Sequence, residues 1–294
     1  SGFVKETRVP LPKGGHPWQV KVTRITEDSH NLKLQNKTYW DTYSEVIDRK
    51  FTYPNSAIIA MEADSSRFTS IHTRGYHVEG MLIQVPSNRE VVNGVATYAG
   101  IWNGTFKTEY SNNPVWCLYD ILVSDRYGIG DFVKPENIDK YSLYAIGRYC
   151  DELVDDGYGG KEPRFTLNAQ ISSREEAFDI IQKFVGLFRG ISFWAGGGVF
   201  VSADTPTSPV ACVTNANVIG GDFTYQTSSN KTVVNGVLVK YFDKRSDFKD
   251  SAEYVQDDAS VKVNGLKVQN LPAWGCTSRG QARRLAKWYM ATAS

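Results

Sequence analysis

Alternating apolar and polar positions dominate the first 113 residues, a pattern that is typical of half-buried β-strands. The alternation is clearest at 18–25, and the stretch 44–61 is rich in β-branched and aromatic residues. Asn93-Gly94 and Asn103-Gly104 each lie between two apolar stretches. Because Asn-Gly tolerates positive φ at both central turn positions, each pair predicts a β-hairpin.

Helical spacing replaces this pattern from Asn113-Pro114 onward, since Asn is a good N-cap and Pro suits the first helical turn. The sequence predicts one helix over 114–125 and a second over 139–154. The second helix would place four apolar residues on one face: Leu143, Ile146, Cys150 and Leu153.

A small strand–helix–strand–strand unit is predicted next. Residues 165–171 alternate as a strand, and Ser172 or Ser173 opens a capping box for the following helix, which Gly190 ends. Apolar residues on both sides of three consecutive glycines predict a hairpin over 191–203.

The last part of the chain returns to β-type patterns. Strands are predicted at 223–226 and 232–242, and a hairpin is predicted around Asn264-Gly265. A capping box at Ser278 opens a final helix that runs through Met290.

These patterns predict an α+β fold with substantial β content. We divide it into three expected domains: a β-rich domain over 1–113, an α/β domain over 114–215, and a β domain ending in an amphipathic helix over 216–294.

Charge and termini narrow the function classes. The chain has 33 Lys and Arg residues and 32 Asp and Glu residues. This near-balance predicts no broad basic surface that would bind nucleic acid phosphates. No apolar run is long enough for a membrane span, and the start lacks the pattern of a signal peptide. The chain lacks an initial Met and stops inside a predicted helix, so we expect both ends to lie within a longer protein.

Candidate chemistry is sparse. The cysteines are widely separated and suit reduced, buried thiols in a protein assembled in a cytosol: Cys117, Cys150, Cys212 and Cys276. Asp155-Asp156 and Asp257-Asp258 lack the spacing of a calcium loop, and solvated turns explain them better. We therefore predict a non-enzyme with no catalytic residue, no metal and no cofactor.

Two sets of residues are candidates for recognition. The first is a set of aromatics that could be exposed and bind sugars or proteins, although core packing is the alternative: Trp18, Tyr39, Trp40, Tyr43 and Trp274. The second is a row of cations on the final helix, which suits either a solvated face or a contact with another subunit: Arg279, Arg283, Arg284 and Lys287.

Several segments, in order, resemble the lambda-type tail tip attachment (host-specificity) protein J family. The clearest are NPVWCLYDIL at 113–122, RYGIG at 126–130, YCDELV at 149–154, GGKEPRF at 159–165 and GCTSRGQARR at 275–284. Each segment alone is weakly specific, but together they cover the chain from about residue 16 to 290.

This resemblance implies β-rich domains related to baseplate hubs, at the tail tip of a virion assembled in the host cytoplasm. The implied partners are further copies in a homotrimeric ring, other tail tip proteins, and a host outer-membrane receptor bound by a C-terminal part outside this sequence. Two alternatives stay open: a glycan-binding module, favoured by a groove of exposed aromatics, and a cell-wall hydrolase, favoured by a cleft with two carboxylates.

Overall fold

A computed structural model describes the chain in several stretches. They are residues 7–11, 19–31, 33, 36–45, 51–54, 56–61, 70, 73–172, 175–225 and 233–293. The chain divides into two compact units, Ser1–Arg74 and Gly75–Ser294. The domain limits expected at 113 and 215 therefore both fall inside the second unit, and they stay predictions.

The described residues of the first unit form no helix or strand and are mostly exposed. The strands predicted at 18–25 and 44–61 are wrong wherever these ranges are described, because none of those residues enters a strand. Alternation produces an apolar face, but a strand also needs a hydrogen-bonded neighbour, and none pairs with these residues in the described part.

The second unit opens with two antiparallel pairs. Strand β1 (Leu82–Pro86) pairs with β4 (Phe106–Tyr110), and between them β2 (Arg89–Val92) and β3 (Val95–Tyr98) form a hairpin. The hairpin turn is the predicted Asn93-Gly94, with φ of 52° and 78°.

The hairpin predicted at Asn103-Gly104 is wrong. The residues before this turn form no strand, and β4 pairs with β1 instead. Trp102 shows the reason, since its buried indole stacks on Tyr144 at 4.7 Å between ring centroids and donates to the Thr105 carbonyl. The backbone at this turn therefore holds the Trp102 side chain in the core and does not form a hairpin.

Two helices follow, α1 (Pro114–Val123) and α2 (Lys140–Asp151). Both predicted helices are confirmed, with Asn113 and Asp139 as the N-caps. The predicted face of α2 is buried at Leu143, Ile146 and Cys150. Leu153 is an exception, because the helix ends before it.

A short hairpin comes next, made of β5 (Leu153–Asp155) and β6 (Lys161–Pro163). The strand predicted at 165–171 is wrong, although Phe165 and Leu167 are buried as the alternation implied. This segment donates backbone hydrogen bonds to three separate places: the carbonyls of Cys150, Asn112 and Gly275. It runs extended between elements and does not join a sheet.

Helix α3 (Ala177–Leu187) packs on the hairpin of β7 (Gly190–Ala195) and β8 (Gly198–Ala203), as predicted. The capping box predicted at Ser172 is wrong, because the N-cap is Glu176 and its side chain makes no capping bond; the alternative cap, Ser173, lies outside the described residues. The predicted unit thus lacks its first strand but keeps its helix and hairpin.

The last part contains a three-stranded sheet in the order β10 (Lys249–Gln256), β9 (Gly236–Asp243), β11 (Val268–Pro272). Helix α4 (Asp258–Asn264) connects β10 to β11, which runs parallel to β9. The final helix α5 (Arg279–Ala293) packs on β9 and β10.

Two strand predictions in this region are wrong. Residues 223–225 form no strand. The hairpin predicted at Asn264-Gly265 is the end of α4, where Gly265 has φ of 72° and its N–H donates to the Val261 carbonyl. Hairpin turns and helix ends both favour a residue with positive φ, so the same dipeptide serves either.

Two buried apolar clusters stabilise the second unit. One joins β1, α1, α2, α3 and β8 around Trp116, Leu118 and Phe188, and the other joins β9 to α5 around Val237, Val239 and Ala282. The α+β fold class is confirmed. Among the described helices, none combines the length and apolarity that crossing a bilayer requires.

Candidate functional site

The segments that carry the family resemblance lie at buried junctions between elements. Asn113 is fully buried; its Oδ1 accepts from the Val115 backbone N–H at 3.0 Å, and its Nδ2 donates to the Gly147 carbonyl at 2.8 Å. One side chain therefore caps α1 and ties it to α2.

Trp116 belongs to a second junction. Its indole Nε1–H donates to the Tyr98 hydroxyl at 3.0 Å, and that hydroxyl donates to Asp151 Oδ2 at 2.7 Å. Arg89 Nε donates to the same carboxylate oxygen at 3.3 Å, and both charged side chains are about 95% buried. Burial and the neighbouring carboxylate raise the pKa of Tyr98 well above its ordinary value. The network joins the β2–β3 hairpin to both helices.

Asp120 forms a third junction. Its Oδ1 accepts from the Gln84 backbone N–H at 3.2 Å, and its Oδ2 accepts from the Tyr127 hydroxyl. Burial and this hydrogen bond raise the pKa of Tyr127 to about 12. The carboxylate thus holds β1 and the loop after α1 against the same helix.

Three thiols are not poised for chemistry: Cys150 and Cys276 are buried, and Cys117 is half-buried. Burial raises the pKa of Cys117 to about 12 and of Cys276 to about 11, and it raises the pKa of Cys150 well above the ordinary value. A nucleophilic cysteine needs the opposite shift. Cys212 is exposed, so the expectation that all four thiols are buried is wrong for this residue. In the described part of the chain, no cluster of His, Cys, Asp or Glu could hold a metal.

Two of the cations predicted on the final helix, Arg279 and Arg283, contact the ring of Tyr158 in the turn of the β5–β6 hairpin. Arg279 Nε lies 2.7 Å from Glu253 Oε2, and its guanidinium lies 4.0 Å from the centre of the Tyr158 ring. Arg283 lies over the same ring at 5.3 Å, and the Tyr158 hydroxyl also donates to Glu253. The side chains of the turn, at Asp155 and Asp156, accept backbone N–H groups of the turn itself.

Arg284 also binds the hairpin, whereas Lys287 does not. Arg284 Nη1 lies 2.7 Å from Glu162 Oε1, and its Nη2 donates to the carbonyls of Pro163 and Arg164. The capping residue Ser278 contacts the same Glu162 carboxylate. Lys287, one turn further on, is exposed and has no ion pair within the described residues. The cations thus lie on one side of α5 but serve different purposes.

Two protein-family models match parts of this chain. A model described as "Putative phage tail protein" matches residues 176–294, and one described as "Tip attachment protein J, FNIII-A domain" matches residues 1–49. Tip attachment protein J of Escherichia phage SECphi27 is 37% identical over 99% of this chain. The corresponding protein of Escherichia phage SECphi4 is 33% identical over 97% of it. The chain is a homologue of tip attachment protein J.

This chain spans about a quarter of the length of those relatives, 24% and 25% respectively. The family resemblance found in the sequence is confirmed, and one of the segments that carry it, 113–122, contains the buried junction residues Asn113, Trp116 and Asp120.

The candidate aromatics of this tip-protein homologue lie in different surroundings. Tyr39, Trp40 and Tyr43 are exposed, with relative exposures of 79%, 55% and 83%. Trp274 is half-buried and packs edge-on against Phe184 at 5.3 Å between centroids, so it belongs to the core surface. Trp18 lies outside the described residues.

One polar site was not predicted from the sequence. Arg189 follows α3 with a left-handed φ of 59°, which is uncommon for a residue with a side chain. Its guanidinium lies 5.4 Å from the Phe165 ring centre and 5.1 Å from that of Trp288. Glycine was expected to end the helix here, but Gly190 has another role: a Cβ there would lie 2.7 Å from the Ser202 carbonyl oxygen. An arginine directly before such a glycine is the only sequence signal.

Proposed function

We propose that this chain forms part of a threefold hub ring at the phage tail tip, and that the ring supports attachment to a host receptor by the complete protein. The observation that carries the proposal is the identity with tip attachment proteins J along nearly the whole chain. The junction residues fit this role, because a ring subunit must keep a fixed shape to repeat one contact around an axis.

Exposed apolar side chains support subunit contacts. On the hairpin edge strand β7, Ile191 and Trp194 are 70% and 59% exposed, and Phe178 on the adjacent helix α3 is 64% exposed. Exposed large apolar side chains are common at protein interfaces. Of the four cations considered as a subunit contact, Lys287 is the best placed, because Arg279, Arg283 and Arg284 bind within the chain.

Mass photometry of the complete gene product tests the ring. We expect a species of three copies, and we expect the double variant Ile191→Ser, Trp194→Ser to shift it toward single copies. Ile101→Ser is the matched control, since Ile101 is 99% exposed but lies elsewhere. A wild-type protein that stays monomeric at micromolar concentration contradicts the proposal.

A glycan-binding role is the second candidate, favoured by the exposed aromatics Tyr39, Trp40 and Tyr43. Stacking of sugar rings on such side chains would bind envelope polysaccharide. Polysaccharide that co-sediments with the wild type but not with a triple alanine variant would support it. We expect no enzymatic role, and purified protein should leave the turbidity of a peptidoglycan suspension unchanged.

A further inference from the structure

A cavity of about 300 Å³ lies where the end of α3, the extended segment after β6 and helix α5 meet. Six residues line it, and they include four cations and two aromatic rings but no acidic residue: Arg164, Phe165, Arg189, Arg284, Lys287 and Trp288. These residues come from three places in the sequence and converge only in the fold.

Arg189 combines an uncommon backbone conformation with partial burial of its charge. It takes a left-handed backbone conformation, and burial lowers the pKa of its guanidinium. Its Nη2 donates to the Arg284 carbonyl, but no carboxylate lies within ion-pair distance among the described residues. Arg164, Arg189 and Arg284 each also keep a buried Nε–H without an acceptor. Strained, incompletely satisfied groups of this kind concentrate at functional sites.

The balance of charge indicates the class of ligand. Arg164 is paired with Glu152 at 2.6 Å and Arg284 with Glu162 at 2.7 Å. That leaves Arg189 and Lys287 with Asp204 nearby, whose Oδ2 accepts from the Trp288 indole at 3.4 Å. One positive charge is in excess, which suits a monoanion better than a doubly charged phosphate.

We propose that this pocket is a binding site for a single carboxylate group. The guanidinium of Arg189 and the ammonium of Lys287 would bind the carboxylate oxygens, and the Phe165 and Trp288 rings would pack against the carbon atoms that carry the group. The carboxylate could come from an Asp or Glu side chain of a neighbouring protein chain or from a small free acid. The site does not depend on the proposed ring.

Titration of this chain with N-acetyl-glutamic acid α-amide, which carries one side-chain carboxylate, tests the chemistry. The readout is the Trp288 indole N–H resonance, assigned with a Trp288→Phe variant. We expect a saturable shift with this probe and none with N-acetyl-glutamine α-amide, its uncharged isostere. Equal shifts with both compounds, or no shift with either, would overturn the proposal.

Variants separate binding from folding. Arg189→Gly should weaken binding at least about tenfold, the loss of one charge-assisted hydrogen bond. It should nevertheless keep the unfolding midpoint close to that of the wild type, because glycine adopts the left-handed conformation without the strain that a side chain causes. Lys287→Gln removes an exposed cation and should weaken binding several-fold. The control is Arg148→Gln, whose guanidinium lies over Tyr144 away from the cavity. Unchanged affinity in Arg189→Gly and Lys287→Gln would refute the assignment.

A second arm identifies the source of the carboxylate. If a neighbouring copy supplies it, Lys287→Gln lowers the fraction of associated copies in the complete gene product, and the glutamyl amide competes with association. If association is unchanged while the amide still binds, the carboxylate comes from another molecule.

Discussion

Replacement of Gly147 by alanine tests whether α1 and α2 are fitted to each other as closely as a rigid subunit requires. Gly147 lies in α2 opposite the fully buried Trp116 of α1, and a Cβ there would lie 2.5 Å and 2.8 Å from two indole carbons. Ordinary contact needs at least about 3.4 Å, so the indole would have to move by roughly 1 Å, within a packed core.

The expected magnitude follows from opposing terms. Alanine favours the helix over glycine by about 1 kcal/mol. Overpacking costs about 1–3 kcal/mol, and weakening the hydrogen bond from Trp116 to Tyr98 costs about 1 kcal/mol more. We therefore expect a net loss of roughly 1–3 kcal/mol in the free energy of unfolding, measured by denaturant titration with tryptophan fluorescence.

Gly186 provides the matched control, because it also lies inside a helix but a Cβ there meets nothing within 4 Å. Gly186→Ala should stabilise the chain by about 0.5–1 kcal/mol, since only the helix propensity changes. If both variants change stability in the same direction and by similar amounts, the close fit between α1 and α2 is refuted.

Three further predictions follow. Asp151→Asn should lower the free energy of unfolding by about 3 kcal/mol, because it leaves the buried Arg89 with only its longer ion pair to Glu109 at 3.9 Å, whereas Tyr98→Phe should cost about 1–2 kcal/mol; equal losses in denaturant titrations would argue against the charge pair. At pH 8 a thiol reagent should modify Cys212 rapidly and the other cysteines slowly, and a fast phase that survives Cys212→Ser would contradict this. Under reducing conditions, stability should fall as pH rises from 9 towards 11, because Cys276 keeps its proton when folded, with a pKa of about 11, but releases it near 9 when unfolded; Cys276→Ala should make that decline shallower, with Cys117 and Cys150 still contributing to it, and an unchanged slope would count against it.

Features determined by residues close in sequence were predictable. Asn113-Pro114 opens α1, Asn93-Gly94 turns the β2–β3 hairpin, and three glycines separate β7 from β8, as expected. In each case the local backbone preference and the tertiary contacts favour the same structure.

Features determined by distant partners were not predictable. Alternation at 165–171 correctly placed Phe165 and Leu167 in the core, but Ala169 and Ile171 are exposed, and the hydrogen-bond acceptors of the segment lie at Cys150, Asn112 and Gly275. Positive φ at Gly265 suits a hairpin turn and a helix end equally, and the choice depends on where β11 pairs.

The carboxylate pocket depends wholly on distant residues. Arg189 and Trp288 are far apart in sequence, and periodicity carries no information about their contact. Likewise, the spacing of the α5 cations suggested one continuous face, but Arg279, Arg283 and Arg284 bind the β5–β6 hairpin.

Cryo-electron microscopy of the assembled tail tip tests the central claim most directly. The account predicts three copies of this chain around the tail axis, with β7 buried between copies and the buried junctions at Asn113, Trp116 and Asp120 unchanged. A single copy attached to the outside of the tip, with β7 exposed to solvent, would contradict it.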